Sequence, residues 1–575
     1  MDAITLKVVW DRLVSITQDA AATMVRTTFS PVVRESNDYC CSLIDVNGRQ
    51  LAEPPDTVPS FTGTLPFTVR HFLRKFPVSE MRPGDSFITN DPWLGTGQLN
   101  DFNVATPVFD RGGKPIAIAA STAHMTDIGG TINRGIARSV HEEGLRIPVS
   151  YLVREGELNQ ELLNILRANV RMPDECVGDL TGMLAANRTM ADRLVELMDD
   201  TQVRDFPVWA EEIQQRSEEA MRASISELPE GEFSGSADFD GAGYPGVIKV
   251  RIGIGRREIS LDFTGTSAQN DYTSMNVVMN YTYSFCVYLL KLMVNSRIPS
   301  NDGCLRPFKI YAPPGSVLNM QYPTAGYSRS FVGHMIHGAM FDALQSAIPE
   351  RIWAESGSSP QGTQSLSGLR PNGLPFVHLF FQASGGTGAM PAKDGESCTF
   401  PTNSRSTSVE STEALVPVIF ERKEVIPDSA GPGQFRGGLA GHWTIRNIGS
   451  QAITFSGQAG RLRHPARGLL GGLDGKPNHL YFKGLPEPRG WGRWELQPGD
   501  TFTRESAGGG GLHSPLRRDP QRVLDDVLEG YVSQQEARRA YGVIIAKGRV
   551  SGSTAARKAT AQDDSASEPG PPVRS

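Results

Sequence analysis

Apolar positions at the start of the chain recur at helical spacing. Leu6, Val9, Leu13, Ile16, Ala20 and Met24 lay one stripe along a long amphipathic helix over residues 4–28, and Pro31 stops it. The pattern then changes to that of a hairpin: DYCCSLIDVNGRQLA sets two strand-like runs around Asn47-Gly48. A second helix is predicted over 65–76, and strands over 83–92, 103–109 and 116–121. Helices are expected over 158–169, 179–198 and 208–226.

From residue 231 onward apolar and polar residues alternate, as in EFSGSADFD and VIKVRIGIGRREISLDF, and glycine turns separate the runs. Two apolar helices, over 281–294 and 332–348, interrupt this strand-rich half, and strands are predicted again over 376–388 and 452–455. The expected architecture is an α+β, mixed multi-region fold. An N-terminal α/β region spans 1–230, a sheet-rich C-terminal region spans 231–548, and a polar tail, 549–575, is expected to be disordered.

Length and charge narrow the function. The chain has 575 residues, too many for one core, and its 60 glycines and 39 prolines favour a turn-rich, strand-containing protein. A net charge of -6 without a basic face lacks the footprint of a nucleic-acid binder. The charged start MDAITLKVVWDRL is neither a signal peptide nor an anchor, and no run of about eighteen apolar residues occurs, so a cytoplasmic protein without membrane contact is expected. The six cysteines have no C-x-x-C spacing and read as buried thiols.

Potential ligands concentrate in one stretch, residues 90–130, which opens NDPWLGTGQLND and closes AHMTDIGG. Its glycines allow backbone to approach a small ligand, and Asp91, Asp101, His124 and Asp127 supply carboxylates and imidazole. Gln98 and Asp101 are spaced to face one site; the alternative is that such Asp and Asn side chains only bond their own turn. A metal there would polarise a carbonyl or activate water, chemistry that both amide hydrolysis and bicarbonate capture require. His141 with Glu142 and Glu143 reads as a solvated helix start, and the loop carrying it as a lid or partner contact. The runs at 385–388 and 508–511 read as tight turns, with an anion cradle as the alternative. No Walker-type phosphate loop and no G-x-S-x-G elbow is present.

At these motifs the chain resembles the hydantoinase B / 5-oxoprolinase family, the B-type subunits of ATP-dependent hydantoinases, lactamases and acetone or acetophenone carboxylases. The resemblance runs from about residue 4 to 545 and rests on RESNDYCCSLIDVNGR, ITNDPWLGTGQLNDF, AHMTDIGG, EEGLRIP, LAANR, LDFTGTS, GGTGAMPAKDGES, TNSRSTSVE and FRGGL. It implies one component of a hetero-oligomer whose A-type partner binds ATP and phosphorylates a carbonyl or amide oxygen. This chain would then open a cyclic amide such as a hydantoin, 5-oxoproline or a lactam. Carried over by position, the family's site falls on Asp38, Gln98, Asp101, His124 and Asp127. Asp38, Asp101, His124 and Asp127 are the expected holders of a divalent metal (Mn, Zn or Mg), and Asp101, His124 and Gln98 the expected catalytic residues. Gln98 and Met125 stand where the family commonly has histidines. The resemblance equally allows a component of a ketone carboxylase of the acetone or acetophenone type, and the departure at Gln98 keeps open a non-catalytic assembly subunit with a degenerate metal site.

Overall fold

The computed structural model describes residues 3–559 apart from 133, 202, 204, 242–244, 359–363, 371, 380–383, 400–401, 483–489, 556 and 558. Its first layer is a seven-stranded sheet of β1 (Tyr39–Asp45), β2 (Gln50–Ala52), β3 (Ser86–Thr89), β4 (Asp101–Phe109), β5 (Pro115–His124), β6 (Ser150–Arg154) and β7 (Glu157–Leu158). The strands lie in the order β2-β1-β5-β4-β3-β6-β7, and each pair is antiparallel.

The central strands are buried on both faces, which is why they read as continuous apolar runs. Cys41, Leu43, Val104, Ala117 and Ala119 face one core with the helices Ala3–Thr27 and Pro173–Thr201. Their neighbours Cys40, Ile44, Ala105, Ile118 and Ala120 face the other, under Leu65, Val69 and Phe72 of the helix Thr64–Lys75. The period of two thus assigns each residue its side. At the β1–β2 hairpin, Asp45 Oδ1 accepts bonds from the Asn47 and Arg49 amides, at 2.9 and 2.8 Å, and Gly48 takes a left-handed φ of +77°.

In the second half, a four-stranded sheet that includes Gly231–Phe239 and Gly246–Ile254 is covered by the helices Met279–Asn295 and Arg329–Leu344. The second helix lies so close to the first of those strands that a Cβ on Gly235 would stand 2.3 Å from the Ala343 nitrogen. Two further four-stranded sheets enclose an aromatic core of Phe376, Phe455, Phe482 and Phe502. The mixed α+β architecture is as expected. Among the described residues, no helix is long and apolar enough to cross a membrane.

The tail departs from expectation. Arg549–Ser553 is a strand paired with Val543–Ala546, and Arg557 is buried, its guanidinium donating to the carbonyl oxygens of Tyr541 (3.0 Å) and Arg518. A polar stretch can be ordered when a buried arginine anchors it. Residues 560–575, where the rest of the expected tail falls, lie outside the described residues.

Candidate active site

Three adjacent strands bring their ends together at one edge of the first sheet. Asp101 opens β4 directly opposite His124, the last residue of β5, and Asp38 immediately precedes Tyr39 of β1, which is paired with Ala123. The His124 amide donates to the Asp38 carbonyl oxygen at 3.1 Å, so antiparallel register alone sets Asp38, His124 and Asp101 side by side.

The NDPWLGTGQLND turn then folds over them. Gly97 has a φ of +94°, and a Cβ there would press on Val278 at 2.9 Å and Arg329 at 3.2 Å, so only glycine fits. This places Gln98 Nε2 2.8 Å from Asp101 Oδ1 and 2.7 Å from His124 Nδ1. His124 Nδ1 is in turn 3.0 Å from Asp101 Oδ1 and 3.6 Å from Asp38 Oδ2. Three polar groups therefore crowd one ring nitrogen. With its proton on Nδ1 the ring donates to Asp101; with the proton on Nε2 it accepts from Gln98.

Asp101 is fully buried, yet both its oxygens are served. Oδ2 accepts from the Arg329 guanidinium at 2.6 Å and from the Thr96 hydroxyl. Burial pushes its carboxyl up, but Arg329, His124 and Gln98 outweigh that and hold it at about 2. Asp38 goes the other way: burial raises it, the neighbouring Asp101 adds to this, and His124 and Arg329 only partly offset them. The site thus holds one fixed carboxylate and one that retains a proton more readily. Arg329 also stacks 4.5 Å above the Tyr281 ring.

Asp127 does not join this group. One turn beyond β5 its carboxylate accepts from the Arg171 backbone amide and, at 2.8 Å, from the Arg171 guanidinium. Asp91 bonds its own turn, accepting from the Trp93 amide at 3.0 Å. His141, the second residue of the short helix Val140–Glu143, is exposed as expected, its Nε2 3.0 Å from the Tyr322 hydroxyl, while Glu143 is buried and accepts from the Tyr327 amide at 2.6 Å, not solvated as expected. The loop expected to be a lid or partner contact is packed down at its start: a Cβ on Gly129 would stand 2.3 Å from the Asn169 carbonyl oxygen. Among the described residues, no group of three or more His, Cys, Asp or Glu side chains stands in a metal-holding arrangement.

Sequence reasoning missed Arg329, Tyr281 and Thr96. Arg329 carried a signal: with histidine counted neutral, it is the one charged residue in the stretch YSRSFVGHMIHGAMF that leads up to Asp342. Its partner Asp101 lies 228 residues earlier in the chain.

The glycine runs are neither turns nor anion cradles. The amides of Gly386, Gly508, Gly509, Gly510 and Gly511 donate to the carbonyl oxygens of Ala507, Lys476, Gly438, Glu355 and Leu473 at 2.9 to 3.0 Å. These segments stack so tightly that a Cβ on Gly386 would stand 1.8 Å from the Gly438 oxygen, and one on Gly509 1.9 Å from that of Thr387.

The family model for hydantoinase B/oxoprolinase matches residues 2–515. The chain is 28% identical to the beta subunit of caprolactamase from Pseudomonas jessenii, covering 95% of this chain and 96% of that one. It is also 28% identical to a provisionally named B-type subunit of a D-/L-hydantoinase from Pseudomonas sp. (strain NS671), at 95% of each chain. It spans only 42% of the length of 5-oxoprolinase 1 from Arabidopsis thaliana, at 27% identity. Among solved structures, an ATP-dependent caprolactamase from Pseudomonas jessenii superposes with a TM-score of 0.88 at 27% identity, over 97% of this chain and 99% of that one. A nucleotide-free acetone carboxylase shares the fold, with a TM-score of 0.85 at 19% identity over 99% and 84%. With a family model matching residues 2–515 of its 575, the chain belongs to the hydantoinase B/oxoprolinase family.

Proposed function

We propose that this chain is the B-type subunit of an ATP-dependent cyclic amide hydrolase and that ring opening takes place at Asp38, Asp101 and His124. The observation that carries the reading is the convergence of two carboxylates of opposite tendency on His124 Nδ1. The subunit names of the relatives, and a 5-oxoprolinase more than twice as long, fit an activity divided between this chain and an ATP-binding A-type partner. Ketone carboxylation draws support only from a fold likeness.

In this mechanism the partner phosphorylates the amide oxygen. Asp101, held ionised by Arg329, fixes the imidazole. Water adds to the activated carbonyl carbon, and its proton passes to Asp38. The proton moves on to the amide nitrogen as the C–N bond breaks, leaving an acyl phosphate that a second water hydrolyses to the ring-opened acid and inorganic phosphate. Gln98 holds His124 and Asp101 in register. The residues expected to hold a divalent cation (Mn, Zn or Mg) do not form a site for one as they stand: among the described residues no three His, Cys, Asp or Glu side chains are in a metal-holding arrangement, the Arg329 guanidinium and the Thr96 hydroxyl occupy Asp101 Oδ2, and Asp127 is committed to Arg171.

The test is elemental analysis and ATP-dependent product assay of the chain co-purified with its A-type partner, for wild type and for Asp38→Ala and His124→Ala. A ring-opened acid formed by wild type and lost in both variants is the expected result, and near-stoichiometric metal in wild type would show that these side chains rearrange to take an ion. Robust turnover in either variant contradicts the assignment, and a product formed only with bicarbonate replaces hydrolysis by carboxylation.

A further inference from the structure

The two helices that deliver Tyr281 and Arg329 to the carboxylate site continue past it and line a separate cavity. Met279–Asn295 contributes Tyr288, Leu289, Leu292 and Met293, and Arg329–Leu344 contributes His334, His337 and Phe341. Eight residues separate Tyr281 from Leu289 and likewise Arg329 from His337, which puts the cavity about 12 Å along the helix axes from the carboxylates. The pair can run this close because position 333 is glycine: a Cβ there would stand 2.3 Å from the Tyr281 ring. Tyr281 and Phe285, with ring centroids 4.6 Å apart, continue as a wall to His334 and His337, 5.3 and 5.2 Å from Phe285.

The cavity holds about 500 Å³, within the range of about 300–1,000 Å³ typical of small-molecule sites. Leu289, Met293, Phe341, Trp353 and Met390 make it largely apolar. Its polar groups are of a particular kind. His337 Nε2 donates to the Phe285 carbonyl oxygen at 3.0 Å, which fixes the tautomer and leaves Nδ1 as an acceptor. Burial lowers His334 to about 3 and His337 to about 4, so both rings are neutral at neutral pH.

The charges on the wall are three carboxylates, Glu350, Glu355 and Glu396, and two guanidiniums, Arg351 and Arg461. Both guanidiniums are committed. Arg461 donates to Glu355 at 2.8 Å, and Arg351 donates to the Met293 carbonyl oxygen at 2.8 Å and lies 3.7 Å from Glu350. Glu355 also accepts from Arg467 at 2.8 Å and Glu396 is paired with Lys393, so the cations named at the wall are all engaged by protein groups, a setting in which a buried ligand carboxylate is penalised.

We infer that this cavity receives the ring of a neutral, apolar cyclic amide, and that the chain selects such lactams against rings that carry a carboxylate. The inference deepens the reading of the chain as part of a cyclic amide hydrolase and rests on it for the meaning of the ligand. The cavity is the reception chamber, and the carboxylate site two turns away is where the ring is opened.

Calorimetric titration of the full chain with ε-caprolactam and with 5-oxoproline at neutral pH tests selectivity without requiring turnover. Caprolactam is expected to bind, and 5-oxoproline to bind at least about tenfold more weakly. Leu292 lines the chamber and is 39% exposed, so tryptophan there obstructs it from the rim without overfilling the core. Leu292→Trp should weaken caprolactam binding about tenfold and, in the complex, raise KM with little change in kcat. Should that variant fail to fold, Leu292→Lys supplies the missing cation and should narrow the preference for caprolactam over 5-oxoproline. Asp38→Ala should leave caprolactam binding unchanged. The inference is overturned by equal or tighter binding of 5-oxoproline, by undetectable binding of caprolactam, or by a folded Leu292 variant that binds as wild type does. Weakened binding in Leu292→Trp together with full turnover in Asp38→Ala would instead spare the chamber and remove the proposed hydrolytic site.

Discussion

The glycine-rich layer around Gly386, Gly438 and Gly509 and the strand ends at Asp38, Asp101 and His124 are both buried and polar, but they settle their polar groups in opposite ways. In the layer every donor named above meets a neighbouring carbonyl, and the chains are so close that no side chain can enter. At the strand ends the donors and acceptors are side chains, and they do not balance. Several groups share one imidazole nitrogen, and Asp38 is left with an elevated proton affinity. A balanced region is rigid and inert, whereas an unbalanced one can take up a proton, a cation or a substrate. Both sequences are rich in glycine, so composition alone does not tell the two apart.

The comparison breaks hardest in the layer. Gly509→Ala should cost more than about 4 kcal/mol, since backbone and not a flexible side chain blocks the methyl group; denaturant melts would show little folded protein. Gly113→Ala, where a Cβ would meet nothing, should cost only about 1 kcal/mol for its positive φ. Equal costs at the two positions would show that close packing does not hold the layer together.

Next in size is Arg329→Met, which leaves the fully buried Asp101 without its guanidinium. A loss of about 3–5 kcal/mol is expected, as for other buried pairs broken on one side. Adding Asp101→Asn should restore much of the stability but not the activity. If the double variant is no more stable than Arg329→Met alone, the pair is not the anchor assigned to it.

A milder imbalance lies nearby at Glu175, which burial and then Asp179 push from 4.5 up to about 7, Asp127 adding to this and Arg370 and the Thr126 hydroxyl only partly opposing. A carboxyl whose folded value is raised binds more protons folded than unfolded between the two values, so stability is full below about 4.5 and falls as pH rises towards about 7. Glu175→Gln should therefore match wild type at pH ~4.5 and exceed it by about 2 kcal/mol at pH ~8, read from melts across that range. A constant difference at all pH values would contradict the sign.

Much of the scaffold was legible because it rests on local periodicity. The stripe of Leu6, Val9, Leu13 and Ile16 lies on the helix Ala3–Thr27, and the Asn47-Gly48 turn joins β1 to β2. The site was partly legible for a related reason: Gln98, Asp101 and His124 lie on one turn and two neighbouring strands, so few residues of chain separate them. Asp127 shows the limit. It is three residues from His124 in sequence, but one turn past the strand end it points to Arg171. Arg329, far along the chain, was not legible as the partner of Asp101, because only the packing of two distant regions brings them together. The glycine runs mislead for the same reason, their close neighbours being other distant backbone segments.

The most direct test of the central claim is the rate of ATP-dependent ring opening by wild type and Asp38→Asn complexes whose melting temperatures agree. Asp38 makes one long contact to His124 and is the less constrained carboxylate, so its amide should keep the fold while removing the proton acceptor. The account predicts a loss of at least about 100-fold in kcat with ATP still bound. An Asp38→Asn complex that opens the ring at the wild-type rate would place the chemistry elsewhere.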